Sequence, residues 1–277
     1  MGKCAFAVVV DESWYQEYLP FYVMFVNMAY PESHVYAFIR GSLNDKVKKN
    51  MDKIKAKNCH IVTNYRMDLP QTPVVTKAIR WLITKKDVPN VDYLYIGDID
   101  IFITEECPSL FEQHKSHMDF LGVPFSNIVR PGKPRLSGLH CVRVGEYYSK
   151  VANAQKTLCL KLKDPNLKKN MNEYLLYDMI QESGLLTDKI FWTGDGRRPW
   201  LRSQFRPFHG VHVGVFRRRD GYTYLDEHDI EHLLGVYQLF QIEPELKELV
   251  QDANPKLKEV IHKMLTYVET MLRRDDE

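Results

Sequence analysis

The chain has 277 residues, with 38 Lys and Arg against 36 Asp and Glu, so its formal net charge is +2. That balance excludes the strongly basic domain of a dedicated nucleic-acid binder. With 44% hydrophobic and 27% charged residues, the composition is that of a folded globular protein, long enough for one large domain with a sizeable core.

The first apolar run, Cys4–Val10, ends in Asp11 and Glu12. It falls far short of the roughly 20 residues of a membrane span, and no small-residue cleavage site follows it, so neither a span nor a signal peptide is expected. Met1-Gly2-Lys3-Cys4-Ala5-Phe6 lacks the Ser or Thr of a myristoylation signal. The five cysteines (Cys4, Cys59, Cys107, Cys141, Cys159) form no C-x-x-C pair. They suit a reducing, cytoplasmic setting better than a disulfide framework or a zinc knuckle.

In chain order, the valine-rich run Ala5–Val10 reads as a buried strand. Tyr15–Met28 reads as a helix across Pro20, and His34–Ile39 as a second strand. Leu43–Lys57 is a lysine-rich amphipathic helix with Val47, Met51 and Ile54 on one face. Cys59–Val62 is a third strand, Thr72–Lys85 a third helix and Tyr93–Ile96 a fourth strand. This alternation predicts an α/β fold: a mostly parallel sheet with helices on both faces.

The second half is less regular. Met118–Gly122 and Leu136–Val144 read as strands, Asn172–Glu182 as a helix, and Ile190–Trp192 and Val211–Val215 as short strands. Loops rich in Gly, Pro and Arg join them, above all Gly194–Pro207. From Asp226 onward the spacing is helical. Leu246, Leu249 and Val250, then Leu257, Val260, Ile261 and Leu265, predict two helices broken near Pro255 and packed against the domain. Mixed charges along this tail make docking to a membrane surface or partner the lesser reading.

The segment Tyr93-Leu94-Tyr95-Ile96-Gly97-Asp98-Ile99-Asp100 carries the most chemistry. Residues two apart on an extended chain share a side, so Asp98 and Asp100 converge at the carboxyl end of a strand. In open α/β sheets that edge is where ligands bind. Two carboxylates held together repel and are costly to desolvate. A divalent cation of the Mg²⁺ or Mn²⁺ type resolves both problems and can grip a diphosphate. The plainer alternative is a pair of surface carboxylates at a turn.

With this motif in place, the chain resembles a GT-A nucleotide-sugar glycosyltransferase, closest in layout to glycosyltransferase family eight, over roughly residues 5–217. The resemblance implies a Rossmann-type catalytic domain over 1–222 and a helical extension over 223–277. A nucleotide-sugar half would cover about 1–104 and an acceptor half about 105–222. It implies Mn²⁺ (or Mg²⁺) and a UDP-sugar donor bound through Asp98 and Asp100, with Gly97 and Ile99 beside them and the end of the first strand, Val9, Val10 and Asp11, lining the donor. Lys77 and Arg80, three apart on one helix face, would reach the donor sugar and phosphates; a solvated helix face competes with that reading.

The family's H-x-x-G-x-x-K-P-W stretch is matched in part by His209-Gly210-Val211-His212-Val213-Gly214-Val215-Phe216-Arg217. After His212 one residue is missing before the Gly, and K-P-W is absent. His212 or His209 would complete the metal site, and Gly214 and Arg217, with Arg218 and Arg219, would take the place of the phosphate-binding Lys. Leu136-Ser137-Gly138-Leu139-His140 resembles the small-residue strand that lines the donor sugar, with a bulge as the alternative. Asn172 or Glu173, with Asp178 as a third candidate, would face the anomeric carbon as the catalytic group; a helix cap is the competing role. Trp192–Trp200 would be an acceptor-side lid or a packed turn.

The implied activity is a metal-dependent, hexosyltransferase-like transfer of a sugar to a hydroxyl of a glycan or other acceptor, with retention favoured by the resemblance. The competing readings are a non-catalytic sugar or nucleotide module, a D-x-D phosphatase and a nucleotidyltransferase. Phe102 stands where the phosphatases carry Thr or Val. Asp11-Glu12-Ser13-Trp14 stands where the nucleotidyltransferases carry a Gly-rich basic loop. Expected partners are the nucleotide sugar and a carbohydrate-type acceptor, with no nucleic acid and no membrane span; peripheral association and oligomeric state stay open.

Overall fold

The computed structural model describes residues 2–11, 13–129, 133–164, 166–168, 171–191, 210–217, 225 and 227–275. Strands occupy β1 (Cys4–Asp11), β2 (His34–Arg40), β3 (Cys59–Val62), β4 (Tyr93–Ile96), β5 (Ile101–Phe102), β6 (Phe125–Ser126), β7 (His140–Arg143) and β8 (Val211–His212). Helices occupy α1 (Leu19–Ala29), α2 (Asp45–Lys53), α3 (Pro73–Ala78), α4 (Leu110–Leu121), α5 (Val144–Lys161), α6 (Asn172–Glu182), α7 (Glu227–Ile242), α8 (Pro244–Asp252) and α9 (Pro255–Asp275).

Six strands form one sheet in the order β3-β2-β1-β4-β7-β6. β1 pairs in parallel with β2 and β4, and β2 with β3, while β7 runs antiparallel to β4 and β6. The mostly parallel α/β sheet expected from the alternation of elements is therefore present. Parallel pairing leaves both faces to be covered, and β1 shows how. Phe6, Val8 and Val10 enter one core layer, shared with α1, α4 and the C-terminal helices, and Ala5 and Ala7 enter the other, with α3, α5 and α6. The two-residue period of a strand thus splits one apolar run between two layers.

Local signals set the helix starts. Asn44 accepts the Lys46 N–H at the start of α2, and Thr72 accepts the Val75 N–H ahead of Pro73 in α3. Pro20 lies in the first turn of α1, where its missing N–H costs nothing, after a 3₁₀ turn over Trp14–Tyr18. Both α2 and α3 are shorter than the sequence predicts; α3 passes into a 3₁₀ turn, Ile79–Leu82.

Three expectations are corrected and one helix was missed. Met118–Gly122 is the end of α4 and its left-handed Gly122 cap, not a strand. The long α5 was not anticipated from the sequence. Leu136–Val144 narrows to β7, with Leu136 joined to Val129 by one isolated bridge. The C-terminal segment forms three helices, because Pro244 as well as Pro255 starts a new one. In addition, Ile190 lies in a 3₁₀ turn and Phe191 bridges Val129. Only Val211–His212 of the expected Val211–Val215 strand is extended, Val213–Arg217 forming a 3₁₀ turn. Asp226, Trp192 and Gly194–Pro207 lie outside the described residues. Among those described, no helix is long and apolar enough to cross a membrane.

Candidate functional site

β4 ends at Ile96, and the chain turns rather than continuing extended. The Gly97 N–H donates to the Ala7 carbonyl of β1 at 3.1 Å. A side chain at Gly97 would place its Cβ 2.7 Å from Tyr95 Cε1, so the turn needs glycine here. Asp98 and Asp100 follow, with Ile99 and Ile101 buried between and beyond them. These apolar anchors hold both carboxylates at the carboxyl end of β4.

The third member arrives from far along the chain. β5 pairs antiparallel with β8 in a separate two-stranded ribbon, with Ile101 opposite His212. The Val213 N–H donates to the Asp100 carbonyl at 2.9 Å. This register brings His212 Nε2 to 3.2 Å from Asp100 Oδ1. Asp98, Asp100 and His212 then each offer one ligand atom, all within 4.8 Å of one another. Among the described residues this is the one group of three or more His, Cys, Asp or Glu side chains so arranged. Two carboxylates and an imidazole, one carboxylate being only 5% exposed, suit a Mn²⁺-type ion between hard and borderline donors. His209 lies outside the described residues.

Cationic groups ring the cluster. Arg80, in the 3₁₀ turn after α3, donates from Nη1 to Asp98 Oδ1 at 2.6 Å and to the Gly97 carbonyl at 3.2 Å. Burial pushes the Asp98 carboxyl up, but the charges of Arg80, His212 and Lys77 and the Arg80 hydrogen bond outweigh it, holding it below the usual carboxylate range. Lys77 itself is exposed on α3, so the two cations expected to share a face divide between solvent and site. Arg217 donates from Nη2 to Asp100 Oδ2 at 2.8 Å and from Nε to the Gly214 carbonyl at 3.2 Å. A Cβ on Gly214 would fall on Asp100 Oδ2, which explains glycine there. Arg218 and Arg219 lie outside the described residues.

Gly138 adjoins the same edge. A Cβ there would lie 3.2 Å from Arg80 Nη2 and 3.7 Å from Glu173 Oε1. The Gly138 N–H donates to Glu173 Oε1 at 3.2 Å, and Arg135 Nη1 pairs with Glu173 Oε2 at 3.3 Å. Of the three candidates around α6, Glu173 is thus the one beside Gly138 and Arg80. Asn172 uses its backbone carbonyl to accept the Trp81 indole N–H at 3.0 Å. Asp178 pairs with Lys161 of α5 at 3.5 Å on the surface.

Ser137 is buried, its N–H and carbonyl both bonded to Asn127 at 3.0 Å. At the carboxyl end of β1, Val10 is buried, Val9 half-buried, and Asp11 accepts the Ser13 N–H at 3.0 Å. Sequence reasoning missed Tyr15, whose hydroxyl donates to Asp100 Oδ2 at 3.4 Å, and Arg135. Tyr15 had one usable signal: it lies in the turn shortly after β1, the strand that pairs with β4.

No protein-family model matches the chain, and no curated protein matches it. Solved structures similar in the course of the chain include the following three. The apo form of the glycosyltransferase GlyE from Streptococcus pneumoniae TIGR4 aligns with 66% of this chain and 44% of its own, at 10% identity and a TM-score of 0.44. A second GlyE structure aligns with 97% of this chain and 64% of its own, at 9% identity and a TM-score of 0.45. The galactosyltransferase LgtC, in complex with donor and acceptor sugar analogs, aligns over 64% and 70%, at 14% identity and a TM-score of 0.37. The chain therefore spans less than two thirds of either GlyE chain.

Proposed function

We propose that this chain is a metal-dependent glycosyltransferase that moves a sugar from a nucleotide-sugar donor, a UDP-sugar first, to a hydroxyl of a glycan or similar acceptor. The observation that carries the reading is the Asp98–Asp100–His212 cluster at the carboxyl end of a parallel strand, ringed by Arg80 and Arg217. Asp98, Asp100 and His212 would hold Mn²⁺ or Mg²⁺. When bound, the ion supplies Lewis-acid and electrostatic stabilisation to a departing nucleoside diphosphate.

The chain's own groups do the rest. Arg217 and the exposed Lys77 offer positive charge to the diphosphate, and Val9, Val10 and Asp11 border the donor at the end of β1. Arg80 fixes Asp98 and the Gly97 carbonyl, so the first carboxylate is preorganised. Gly138, beside Ser137, lets Arg80 and Glu173 close on its backbone at the edge proposed for the donor sugar. Glu173 lies across Gly138 from Arg80, its oxygens bonded to the Gly138 N–H and to Arg135. A carboxylate fixed in this way suits stabilising an oxocarbenium-like centre more than relaying a proton. Retention is proposed from the resemblance, and a cytoplasmic location from the five free cysteines.

The test is a thermal-unfolding titration with UDP, with and without Mn²⁺, on the wild type and on the double variant Asp98→Asn, Asp100→Asn. A ligand that binds only the folded state stabilises it by about 2.7 kcal/mol at a hundredfold excess over its dissociation constant. A Mn²⁺-dependent shift that disappears in the variant is the expected result. The absence of a shift with any nucleoside diphosphate, under either ion, sinks the proposal. Release of UDP from a UDP-sugar then separates a transferase from a module that only binds.

A further inference from the structure

Two positive charges have a claim on one carboxylate. Asp100 Oδ2 receives Arg217 Nη2 at 2.8 Å and the Tyr15 hydroxyl at 3.4 Å, while Asp100 Oδ1 faces His212 at 3.2 Å. The guanidinium is built into this position rather than lying there loosely. Its Nε is bonded to the Gly214 carbonyl, and its plane lies over the Tyr15 ring, 5.0 Å from the centroid. Gly214 keeps the approach open, because a Cβ there would reach Asp100 Oδ2, Arg217 Nη2 and His212 Nε2 together. A cation held by Asp98, Asp100 and His212 would therefore sit next to a guanidinium salt-bridged to one of its own ligands. Like charges at that spacing, beside a carboxylate only 5% exposed, repel strongly.

We infer that Arg217 changes partners: it leaves Asp100 for the diphosphate when the nucleotide binds, and this makes the cation and the nucleotide bind cooperatively. The inference rests on the metal-diphosphate reading of the site. Its logic is one of linkage. A guanidinium that stayed on Asp100 would weaken the cation equally with and without nucleotide, and would leave the coupling between the two ligands untouched. One that moves away removes its repulsion only when the nucleotide is present, so it adds to the coupling. The side chain has the means to move. The guanidinium is a rigid plane, so it turns as a whole about the side-chain torsions and gives up Asp100 Oδ2 and the Gly214 carbonyl together. The phosphoryl oxygens, which can accept two of its N–H groups at once, then replace the single contact to Asp100 Oδ2.

The experiment measures Mn²⁺ dissociation constants by electron paramagnetic resonance of the free ion, with and without UDP. It uses full-length wild type, Arg217→Gln and Arg217→Lys, each checked for an unchanged unfolding transition. In Arg217→Gln, Mn²⁺ alone binds about tenfold more tightly, and the factor by which UDP tightens Mn²⁺ shrinks by a similar amount. Arg217→Lys keeps the charge, so its Mn²⁺ affinity stays near wild type; a merely structural role for Arg217 would make both variants weaker. Equal or weaker Mn²⁺ binding by Arg217→Gln overturns the inference. So does a coupling factor the same as that of wild type, or Mn²⁺ binding that UDP leaves unchanged in wild type. If none of the proteins binds Mn²⁺, the proposed function fails and takes this inference with it.

Discussion

At the scale of single residues, Gly214 and His60 each make a claim that can be measured. Gly214 lies where Asp100, Arg217 and His212 meet, and a methyl group there has no space. Gly214→Ala pushes the Asp100 carboxylate and the His212 ring, both proposed metal ligands, out of place, at an overpacking cost of about 1–3 kcal/mol. The expected outcome is a lowered denaturation midpoint together with weakened Mn²⁺ binding; retained affinity would show that the ion does not use this corner. His60 on β3 faces His34 of β2, their ring nitrogens 2.8 Å apart and their rings stacked. Partial shielding of the largely exposed ring, and then the charge of His34, lower the pKa of His60 below its ordinary 6.5. As pH falls the unfolded chain takes up this proton before the folded one does. The stability tied to His60 is thus complete above about pH 6.5 and is lost as pH drops below it. Urea midpoints across that window should fall more steeply in wild type than in His60→Gln. Parallel profiles would refute the assignment.

At the scale of elements, the parallel half was legible because its strands are short apolar runs and its helices carry caps. Ala5–Val10, His34–Ile39, Cys59–Val62 and Tyr93–Ile96 all lie within observed strands. The later elements were obscured by buried polar groups that break the apolar pattern. In α4 the inward stripe includes His114 and His117, both bonded to the Ser126 hydroxyl, so only its last apolar residues stood out, and they read as a strand. In α5 the stripe includes Gln155, which donates to the Trp81 and Ile83 carbonyls. The overlooked signal for α4 was its capping box: Ser109 accepts the Glu112 N–H, and Glu112 Oε2 accepts the Ser109 N–H at 3.0 Å. Ser109→Ala should lower the stability of the whole chain by about 1 kcal/mol, and Ser109→Asp should restore most of it. Equal denaturation midpoints for all three proteins would mean that the box adds nothing to α4. For the site, Asp98 and Asp100 were legible because they adjoin a strand end. The role of His212 depended on the β5–β8 register, which a two-residue strand does not announce.

At the scale of the whole molecule, the C-terminal helices and the candidate site are mechanically one body. Leu257, Ile261, Met264 and Val268 of α9 belong to the same core layer as Phe6 of β1 and Phe216 of the turn that carries Arg217. Tyr267 packs its ring against Phe216, with centroids 5.9 Å apart. Polar contacts fasten the same face: the Asn254 N–H donates to Glu17 Oε2 at 2.7 Å, and Lys53 pairs with Asp252 at 2.6 Å. The turn over Val213–Arg217 thus has α9 beneath it and Asp100 above it. Loosening α9 should reach the metal ligands directly, whereas the opposite core layer reaches them only through the Arg80 turn, which Gln155 of α5 bonds at Trp81 and Ile83. Met264→Ala on α9 and Leu158→Ala on α5 both empty buried positions, and each should cost about 2–5 kcal/mol. Under conditions where both variants remain folded, Met264→Ala should weaken Mn²⁺ binding several-fold while Leu158→Ala weakens it less. An equal loss in both would trace the effect to stability in general. No loss in either would show that the β5–β8 ribbon holds His212 in place without help from α9.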